Sequence, residues 1–276
     1  MRPFEFAGKT CFVTGAASGI GEALALRLAE YGCGLALLDR DETGLKRVAA
    51  AAGQRGARKV TAHVVDLSDR GDRLDLVAEV LAEHQRVDLV INNAGVALGG
   101  QFHQVTVEDF EWLMDINFGA VVRVTKAFLP HLRENPGSHL VNLSSLFGLI
   151  APAGQTAYAA SKHAVRGFTE ALRQELLPDG VGVTVVHPGG IKTNIATNAR
   201  ISAAAAAEPT TEQARKQIDS FLTMPPAQAA QQILDAVHNR KPRLVITGLA
   251  KFSDLLVRLT PSHYWTILNA LAKGAR

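Results

Sequence analysis

The sequence predicts an α/β fold, a doubly wound parallel seven-stranded sheet with helices on both faces. Short, almost continuously apolar segments alternate with longer amphipathic segments along residues 9–187. Strands of that kind are typical of a parallel sheet that is covered on both sides. A glycine-rich turn joins the first strand to the first helix, as in the first βαβ unit of doubly wound sheets. Right-handed crossovers between successive strands then place helices on each face.

Seven strands are predicted from apolar runs of five to eight residues, a length typical of strands rather than of helices. Six of them precede residue 190 and alternate with helices, whereas the seventh follows a long interruption. In order, the predicted strands are Lys9–Thr14, Leu35–Asp39, Lys59–Asp66, Val87–Asn92, Ser138–Ser145, Val181–His187 and Arg243–Thr247.

Five helices are predicted between the first six strands, and several of their ends carry recognisable signals. Gly32 follows the first helix, Thr106 and Asp109 occupy capping-box positions at the start of the fourth, and Pro178 follows the fifth. In order, the predicted helices are Gly19–Tyr31, Glu42–Ala52, Asp69–His84, Thr106–Leu132 and Thr156–Leu177. The alanine run 203–207 predicts a further short helix because alanine has the highest helix propensity.

Composition and charge narrow the class of protein. The 276 residues are 47% apolar and 20% charged, with a net charge of +3, so a large core is expected and a nucleic-acid surface is not. Cys11 and Cys33 lie in apolar segments and are expected to be buried free thiols of a reducing compartment, with a disulfide between them as the less favoured alternative. The start of the chain has no apolar stretch typical of a signal peptide, and no run of 18 apolar residues occurs, so we expect a soluble cytoplasmic protein. No metal site is predicted.

One domain over residues 1–276 is expected, with two segments outside the strand–helix rhythm. Residues 190–226 leave the carboxyl end of the sixth strand, beside the ligand crevice of such sheets, which favours a substrate loop or lid over a plain surface insertion. Residues 249–274 form an amphipathic C-terminal helical extension that Pro261 divides. We expect this extension to pack on its own domain or on a partner subunit. Covering the substrate cleft is the second interpretation, and contact with a membrane surface is the least favoured.

The turn after the first strand carries three glycines, Gly15, Gly19 and Gly21. Between a strand and a helix, such a turn lets the backbone approach a pyrophosphate, and the helix amino terminus supplies free N–H groups. Asp39 ends the second strand, where a carboxylate accepts hydrogen bonds from ribose hydroxyls and repels a 2′-phosphate. The adjacent Arg40 is a complication, because a guanidinium binds phosphate well. NAD is therefore the predicted cofactor, and NADP is the alternative.

A second set of polar residues follows the fifth predicted strand. Ser145 ends the strand, Tyr158 comes thirteen residues later, and Lys162 follows after four more. On a helix the last two side chains share one face, one turn apart. A phenol has an unperturbed pKa of about 10, and a neighbouring ammonium favours the phenolate. The pair therefore predicts an acid–base catalyst that works near neutral pH.

Taken together, these residues resemble the short-chain dehydrogenase/reductase family, in its single-domain Rossmann branch. The resemblance extends over residues 9–193, with Asp66 matching an acid that contacts adenine and Asn117 matching a structural and catalytic asparagine. The catalytic residues that it implies are Asn117, Ser145, Tyr158 and Lys162. The cofactor contacts that it implies are Gly15, Ser18, Gly19, Ile20, Gly21, Asp39, Arg40, Asp66, Leu67, Asn93, Ala94, Gly95, Tyr158, Lys162, Pro188, Gly189, Ile191 and Thr193.

The resemblance implies reversible hydride transfer between a nicotinamide cofactor and a secondary alcohol or ketone. In the family pattern, Tyr158 exchanges the hydroxyl proton and Ser145 binds the substrate oxygen. Lys162 lowers the pKa of Tyr158 and binds the nicotinamide ribose, and Asn117 holds a water that links Lys162 to solvent. The family usually forms homodimers or homotetramers, which the resemblance therefore also implies.

Apolar residues follow Gly95, after the fourth predicted strand, and Ser145, after the fifth. These residues predict a lipophilic substrate. They are Val96, Ala97, Leu98, Leu146, Phe147, Leu149 and Ile150. A cofactor-binding sensor or scaffold without turnover is the main alternative, and the complete set of four catalytic residues argues against it. A sugar-nucleotide epimerase would share the Tyr–Lys pair, but the glycine spacing and the short chain after Thr193 argue against that class.

Overall fold

The centre of the molecule is the predicted parallel seven-stranded sheet. The computed structural model describes residues 1–69, 74–195, 197–206 and 222–274. The sheet strands are β1 Thr10–Thr14, β2 Gly34–Asp39, β3 Lys59–Val64, β4 Leu89–Asn92, β6 His139–Leu143, β7 Gly182–His187 and β9 Arg243–Val245. They lie in the order β3–β2–β1–β4–β6–β7–β9, and every neighbouring pair is parallel. The chain reverses its direction of progress between β1 and β4, which opens a crevice at the carboxyl ends of these strands.

Helices cover both faces of the sheet. They are α1 Gly19–Glu30, α2 Glu42–Gln54, α3 Leu74–His84, α4 Val107–Met114, α5 Ala120–Arg133, α6 Thr156–Leu176, α7 Ala203–Ala206, α8 Pro226–His238, α9 Gly248–Leu259 and α10 Tyr264–Gly274. One apolar core lies between the sheet and helices α1, α2 and α8, and a second lies between the opposite face and helices α3, α5 and α6.

The side chains of β1 show why the sheet has two cores. Successive strand residues point to opposite faces. Val13 accordingly packs with Leu24 of α1 and Ile233 of α8, whereas Phe12 packs with Phe128 of α5 at 4.6 Å between ring centroids. The middle of a strand that is buried on both faces is almost continuously apolar, as Cys11, Phe12 and Val13 are here, and that run is the pattern that predicted the strand.

The predicted helix Thr106–Leu132 is not continuous. It consists of α4, a π-helical turn at Asp115–Gly119, and α5. Thr106 caps α4 as predicted, with its hydroxyl accepting a hydrogen bond from the Asp109 N–H at 3.1 Å. The π-helical turn carries Asn117, so the irregularity coincides with a predicted site residue. Such turns interrupt helices frequently at functional sites.

A second, two-stranded sheet lies outside the predictions. It pairs β5, Leu98–Gly99, with β8, Arg200–Ile201, in parallel. Arg200 also donates to the Asp109 carboxylate at 2.7 Å, and its guanidinium lies 3.9 Å from the centroid of the Trp112 ring. These contacts hold the first part of the 190–226 excursion against α4, beside the cleft.

Parts of two predicted segments lie outside the described residues. The predicted helix Asp69–His84 corresponds to α3 from Leu74 onward, and positions 70–73 are not described. Within the excursion, α7 covers Ala203–Ala206, and positions 196 and 207–221 are not described. The end of the excursion returns to its start through a bridge between Ile191 and Met224.

Two further expectations are met by the described residues. Pro261 separates α9 from α10, as the sequence predicted. Cys11 and Cys33 are free and buried. None of the described helices is both long enough and apolar enough to cross a membrane.

Candidate active site

A large cleft opens at the carboxyl ends of β1, β2, β4, β6 and β7. Its volume is about 1540 Å³, larger than the roughly 300–1,000 Å³ of a typical pocket for one small ligand. The two groups of residues identified from the sequence meet there. All of the predicted cofactor and catalytic residues line the cleft except Gly21 and Asn117, which lie immediately behind its wall.

The glycine-rich turn is built so that a ligand can approach its backbone. Gly15 and Gly19 have φ angles of +66° and +59°, which are unfavourable for residues with a Cβ atom. A Cβ atom on Gly21 would overlap the carbonyl oxygen of Gly15 and lie 2.6 Å from Nδ2 of Asn93. Asn93 fixes the turn from the other side, because its Nδ2 donates to the carbonyl oxygens of Thr14 at 2.8 Å and Gly15 at 3.1 Å.

The first turn of α1 faces the same cleft. Ser18 is the N-cap residue, and its side chain makes no capping hydrogen bond. The N–H groups of the first helical turn have no partner within their own helix, so this end attracts a pyrophosphate. Thr193 lies against the turn, since a Cβ atom on Gly19 would be 3.2 Å from its Cγ2. The cradle of small residues and the helix terminus fit the dinucleotide that the sequence predicts.

Asp39 lies at the end of β2, beside the glycine-rich turn. Its Oδ2 accepts a hydrogen bond from the Ala17 N–H at 2.9 Å, and its Oδ1 accepts one from the Asp41 N–H at 3.1 Å. Arg40 is exposed and also lines the cleft. Asp66 accepts from the Ser68 N–H at 2.8 Å. The cleft therefore carries most of its charged side chains at this end.

Ser145, Tyr158 and Lys162 converge at the opposite end of the cleft. Ser145 is the N-cap of a 3₁₀ turn after β6, and its Oγ accepts from the Phe147 N–H at 3.1 Å. Tyr158 and Lys162 are one turn apart on α6, with the Lys162 Nζ 5.7 Å from the centroid of the Tyr158 ring. The neighbouring Ser144 is turned away from this group, because its buried hydroxyl donates to the Lys162 carbonyl oxygen at 2.8 Å. Of the two serines, Ser145 is therefore the one whose hydroxyl lies nearer to Tyr158, which is the serine predicted from the sequence.

The electrostatics of the pair differ from the expectation that Lys162 lowers the pKa of Tyr158. Burial raises the pKa of Tyr158, and a hydrogen bond with Ser145 opposes that effect. The phenol lies beside Phe147, at 6.0 Å between ring centroids, so desolvation of the phenolate dominates. Burial also lowers the pKa of Lys162 to about 8. Its Nζ donates to the Leu143 carbonyl oxygen at 3.1 Å.

Asn117 connects the segment after β4 to α6, the helix that carries Tyr158 and Lys162. It is fully buried, and its Oδ1 accepts from the Val96 N–H at 2.8 Å. Its Nδ2 donates to the Val96 carbonyl oxygen at 3.0 Å and to the Ser161 Oγ at 3.1 Å. Ser161 in turn donates to the Tyr158 carbonyl oxygen at 2.8 Å. Gly95 allows close approach here, since a Cβ atom on it would lie 3.2 Å from the Asn117 Oδ1 and 3.3 Å from the Lys162 Nζ.

Two features of the site were not among the predicted site residues, although covering of the cleft by the C-terminal extension was the second interpretation of that segment. Trp265 of α10 donates its indole N–H to the Ala151 carbonyl oxygen at 2.9 Å, and the Tyr264 hydroxyl accepts from the Ala151 N–H at 3.3 Å. These bonds bring α10 to the loop between the predicted catalytic residues. His187 is buried below Ser145, and the imidazole Nδ1 lies 3.1 Å from the Ser145 carbonyl oxygen. The position of His187 directly before Pro188 and Gly189, two predicted cofactor contacts, was the sequence feature that could have indicated its place beside the site.

Comparison with known proteins identifies sequence relatives over most of the chain. The family model for the short chain dehydrogenase matches residues 9–204. The SadH oxidoreductase of Mycobacterium tuberculosis is 43% identical over 270 residues, 96% of each chain. Dehydrogenase/reductase SDR family member 7B of Xenopus tropicalis is 34% identical over 273 residues, which span 96% of this chain and 85% of that one.

Solved structures agree in fold. A short-chain dehydrogenase/reductase from Burkholderia phymatum in complex with NAD superposes with a TM-score of 0.85 at 29% identity, covering 93% of this chain and 95% of that one. A short-chain dehydrogenase from Sphingobium yanoikuyae in complex with NADPH superposes with a TM-score of 0.73 at 28% identity, covering 97% and 94%. The present chain belongs to the short-chain dehydrogenase/reductase family and is an NAD(P)-dependent oxidoreductase.

Proposed function

We propose that this enzyme transfers a hydride between NAD and an uncharged, lipophilic secondary alcohol or ketone, with Tyr158 as the general acid–base. The supporting observation is the convergence of Ser145, Tyr158 and Lys162 in the cleft that also contains the glycine-rich turn. Acid–base and hydride-transfer groups must share one cleft for such a reaction, because effective catalysis requires reacting atoms to be held in contact.

The chain's own residues move the proton and hold the substrate oxygen. The cofactor accepts or supplies the hydride at its nicotinamide ring. Tyr158 takes the hydroxyl proton during oxidation and returns it during reduction, while the Ser145 hydroxyl donates to the substrate oxygen. The raised pKa of Tyr158 keeps the phenol protonated at neutral pH, which suits reduction. Oxidation needs the phenolate, so we expect its rate to rise with pH.

Lys162 and Asn117 support that phenol. Lys162 carries a positive charge below its pKa of about 8, and a cation one helical turn away stabilises a phenolate as it forms. Asn117 fixes α6 through Ser161. Both hydrogens of the Asn117 Nδ2 are already donated, one to the Val96 carbonyl oxygen and one to the Ser161 Oγ. A water bound by the Asn117 side chain must therefore donate a hydrogen bond to its Oδ1.

The lining of the substrate end supports an uncharged, lipophilic substrate. Apart from Lys162, the charged side chains among the described lining residues lie at the nucleotide end, at Asp39, Arg40, Asp41 and Asp66. A carboxylate or phosphate on the substrate would lose its water without gaining a partner. Apolar side chains supply most of the remaining wall: Val96, Leu98, Phe147, Ile150, Ile195, Leu249, Trp265 and Leu268.

The choice of NAD rests on Asp39. Its carboxylate lies beside the glycine-rich turn, at hydrogen-bonding distance from the Ala17 N–H, where it would repel a 2′-phosphate. Arg40 is the residue that would favour NADP instead. Among solved relatives, the Burkholderia enzyme is in complex with NAD and the Sphingobium enzyme with NADPH, so the family accommodates both cofactors.

Substitution of Tyr158 by phenylalanine tests the proposal. With a panel of lipophilic alcohols and ketones, we expect Tyr158→Phe to lower kcat by about 10²–10⁴-fold and to leave NAD affinity within twofold. Tyr31→Phe is the matched control, because Tyr31 stacks on Phe6 in the core and its hydroxyl contacts Gln231. Near-normal turnover in Tyr158→Phe would refute the assignment. Tight NAD binding by the unmodified protein without turnover of any substrate would favour the sensor or scaffold interpretation.

Homo-oligomer formation is a separate proposal. The family resemblance implies a homodimer or homotetramer, and light scattering on the purified chain measures its mass directly. A mass equal to the 29.5 kDa of one chain at micromolar concentration would refute it.

A further inference from the structure

Helix α9 presents an apolar stripe to solvent. Phe252, Leu255 and Leu259 are 47%, 56% and 71% exposed. Their spacing of three and four residues places them on one side of the helix. Leu249, 51% exposed, extends the stripe at its amino-terminal end, while Ala250 on the opposite side is buried against the domain. The solvent-exposed face of α9 is therefore apolar, whereas an ordinary surface helix exposes its polar face.

Exposed apolar residues are concentrated in this part of the described chain. Isolated exposed leucines are common on protein surfaces, but a contiguous group marks an interaction surface. Half of the large exposed apolar side chains among the described residues belong to α9 and α10: Leu249, Phe252, Leu255, Leu259 and Leu271.

Basic residues border the stripe. Lys251 and Arg258 are exposed and lie on the same edge of α9, seven residues apart. Asp254 is the only acidic residue of residues 248–276. Its charge is neutralised by Arg243, which donates two hydrogen bonds at 2.8 and 2.7 Å, and by Arg258 at 3.3 Å. The sequence of this segment also contains Lys273 and Arg276. An apolar stripe with a basic edge is complementary to an anionic lipid surface.

A second copy of the chain fits the stripe less well. In a two-fold pair the same patch contacts itself, so both copies of Lys251 and Arg258 would be brought to one interface. Within the described part of α9 and α10, Asp254 is the acid available to pair with it, and Asp254 is already bound by Arg243. Self-association would therefore bury apolar area at the cost of like-charge repulsion, whereas anionic lipid satisfies both features.

The stripe is continuous with the substrate end of the cleft. Leu249 belongs to both the stripe and the cleft wall, and Trp265 and Leu268 of α10 line the cleft beside it. We propose that the exposed face of α9 docks on an anionic lipid bilayer and turns the apolar end of the cleft toward the membrane. A lipophilic substrate dissolved in the bilayer then reaches the cleft without crossing water. The sequence alone ranked this interpretation last, because periodicity shows that a helix is amphipathic but not which side faces the protein.

Vesicle binding by the full-length protein tests the proposal. We expect the protein to sediment with vesicles of phosphatidylcholine and phosphatidylglycerol, and to bind at least tenfold more weakly to phosphatidylcholine alone or in 0.5 M salt. Leu255→Glu/Leu259→Glu should reduce binding at least tenfold. Both positions are exposed, so the fold tolerates them, as circular dichroism will verify. Leu177→Glu is the matched control, because Leu177 is 55% exposed at the end of α6 and should leave binding unchanged.

Failure to bind anionic vesicles would overturn the proposal, and so would equal losses in the α9 variant and the Leu177→Glu control. Light scattering separates the remaining case. A wild-type dimer that the α9 substitutions dissociate, without vesicle binding, would assign the stripe to a second copy and likewise overturn the proposal. Turnover is not a readout here, so an error in the proposed substrate leaves the result interpretable.

Discussion

Replacing Lys162 with methionine should make the ligand-free protein more stable while destroying its activity. Lys162 is 3% exposed, and burial lowers its pKa from 10.5 to about 8. A buried ammonium is costly because it loses its hydration. Methionine has a similar length and no charge, so it removes that cost. The residue is thus predicted to reduce the stability of the fold in return for a charge beside Tyr158.

The pKa of Lys162 sets the size and the sign of the effect. Between pH 8 and 10.5 the unfolded chain holds this proton more tightly than the folded one, so the free energy of unfolding falls as the pH drops through that range and stays low below it. The difference corresponds to about 3 kcal/mol at pH 7. Methionine also leaves the buried Leu143 carbonyl oxygen without its donor, which costs about 1 kcal/mol. The net stabilisation is therefore about 2 kcal/mol at pH 7, and close to zero at pH 10.

Urea unfolding of the two proteins at pH 7 and pH 10 measures these values. Lys126→Met is the control, because Lys126 is exposed on α5 and its replacement should change the free energy of unfolding little at either pH. If Lys162→Met were less stable than the parent at pH 7, or if the difference were the same at both pH values, the reasoning from burial would be wrong.

Three further substitutions test the cofactor end and the substrate wall. Gly21→Ala should weaken NAD binding at least tenfold in a fluorescence titration, because the added Cβ atom overlaps the Gly15 carbonyl oxygen. Gly167→Ala on α6 is the control: its Cβ atom meets no atom within 4 Å, so NAD affinity should stay unchanged. Asp39→Asn keeps an acceptor for the glycine-rich turn but removes the negative charge, so the ratio of kcat/KM for NADP to kcat/KM for NAD should rise about tenfold or more. An unchanged ratio would show that Asp39 does not select the cofactor. Trp265→Phe loses the hydrogen bond to the Ala151 carbonyl oxygen, which is worth about 1 kcal/mol. KM for a lipophilic ketone should therefore rise about fivefold while kcat stays nearly constant, and a fall in kcat alone would show that Trp265 does not contact the substrate.

Local patterns were sufficient wherever the chemistry itself is local. The glycine-rich turn needs its glycines within seven residues of chain, and the predicted acid–base pair needs Tyr158 and Lys162 one helical turn apart. The central strands were equally visible, because strands buried on both faces carry nearly continuous apolar runs. Their predicted ends were less accurate: β3 stops at Val64 rather than Asp66, since pairing with β2 ends there.

Features that depend on distant residues were not visible. The strands β5 and β8 have two residues each and lie about a hundred positions apart, so no sequence period marks their pairing. The π-helical turn at Asp115–Gly119 interrupts a pattern that is helical on both sides. The raised pKa of Tyr158 follows from burial beside Phe147 and other neighbours, whereas spacing along α6 shows only that a lysine is near. Each of these is a tertiary property.

The cofactor cradle and the predicted acid–base residue are joined by one continuous set of hydrogen bonds. The segment after β4 begins at Asn93, which binds the glycine-rich turn, and reaches Val96, which binds Asn117 through both its N–H and its carbonyl group. Asn117 binds Ser161, and Ser161 binds the backbone of Tyr158. Catalysis is sensitive to errors of about 1 Å in position, and hydrogen bonds constrain both the distance and the angle between their partners. Of the apolar wall, Val96 takes part in these bonds, and it does so through its backbone. We therefore expect substitution of the apolar side chains of the wall to change the distance between the turn and the phenol less than substitution of Asn93, Asn117 or Ser161 does.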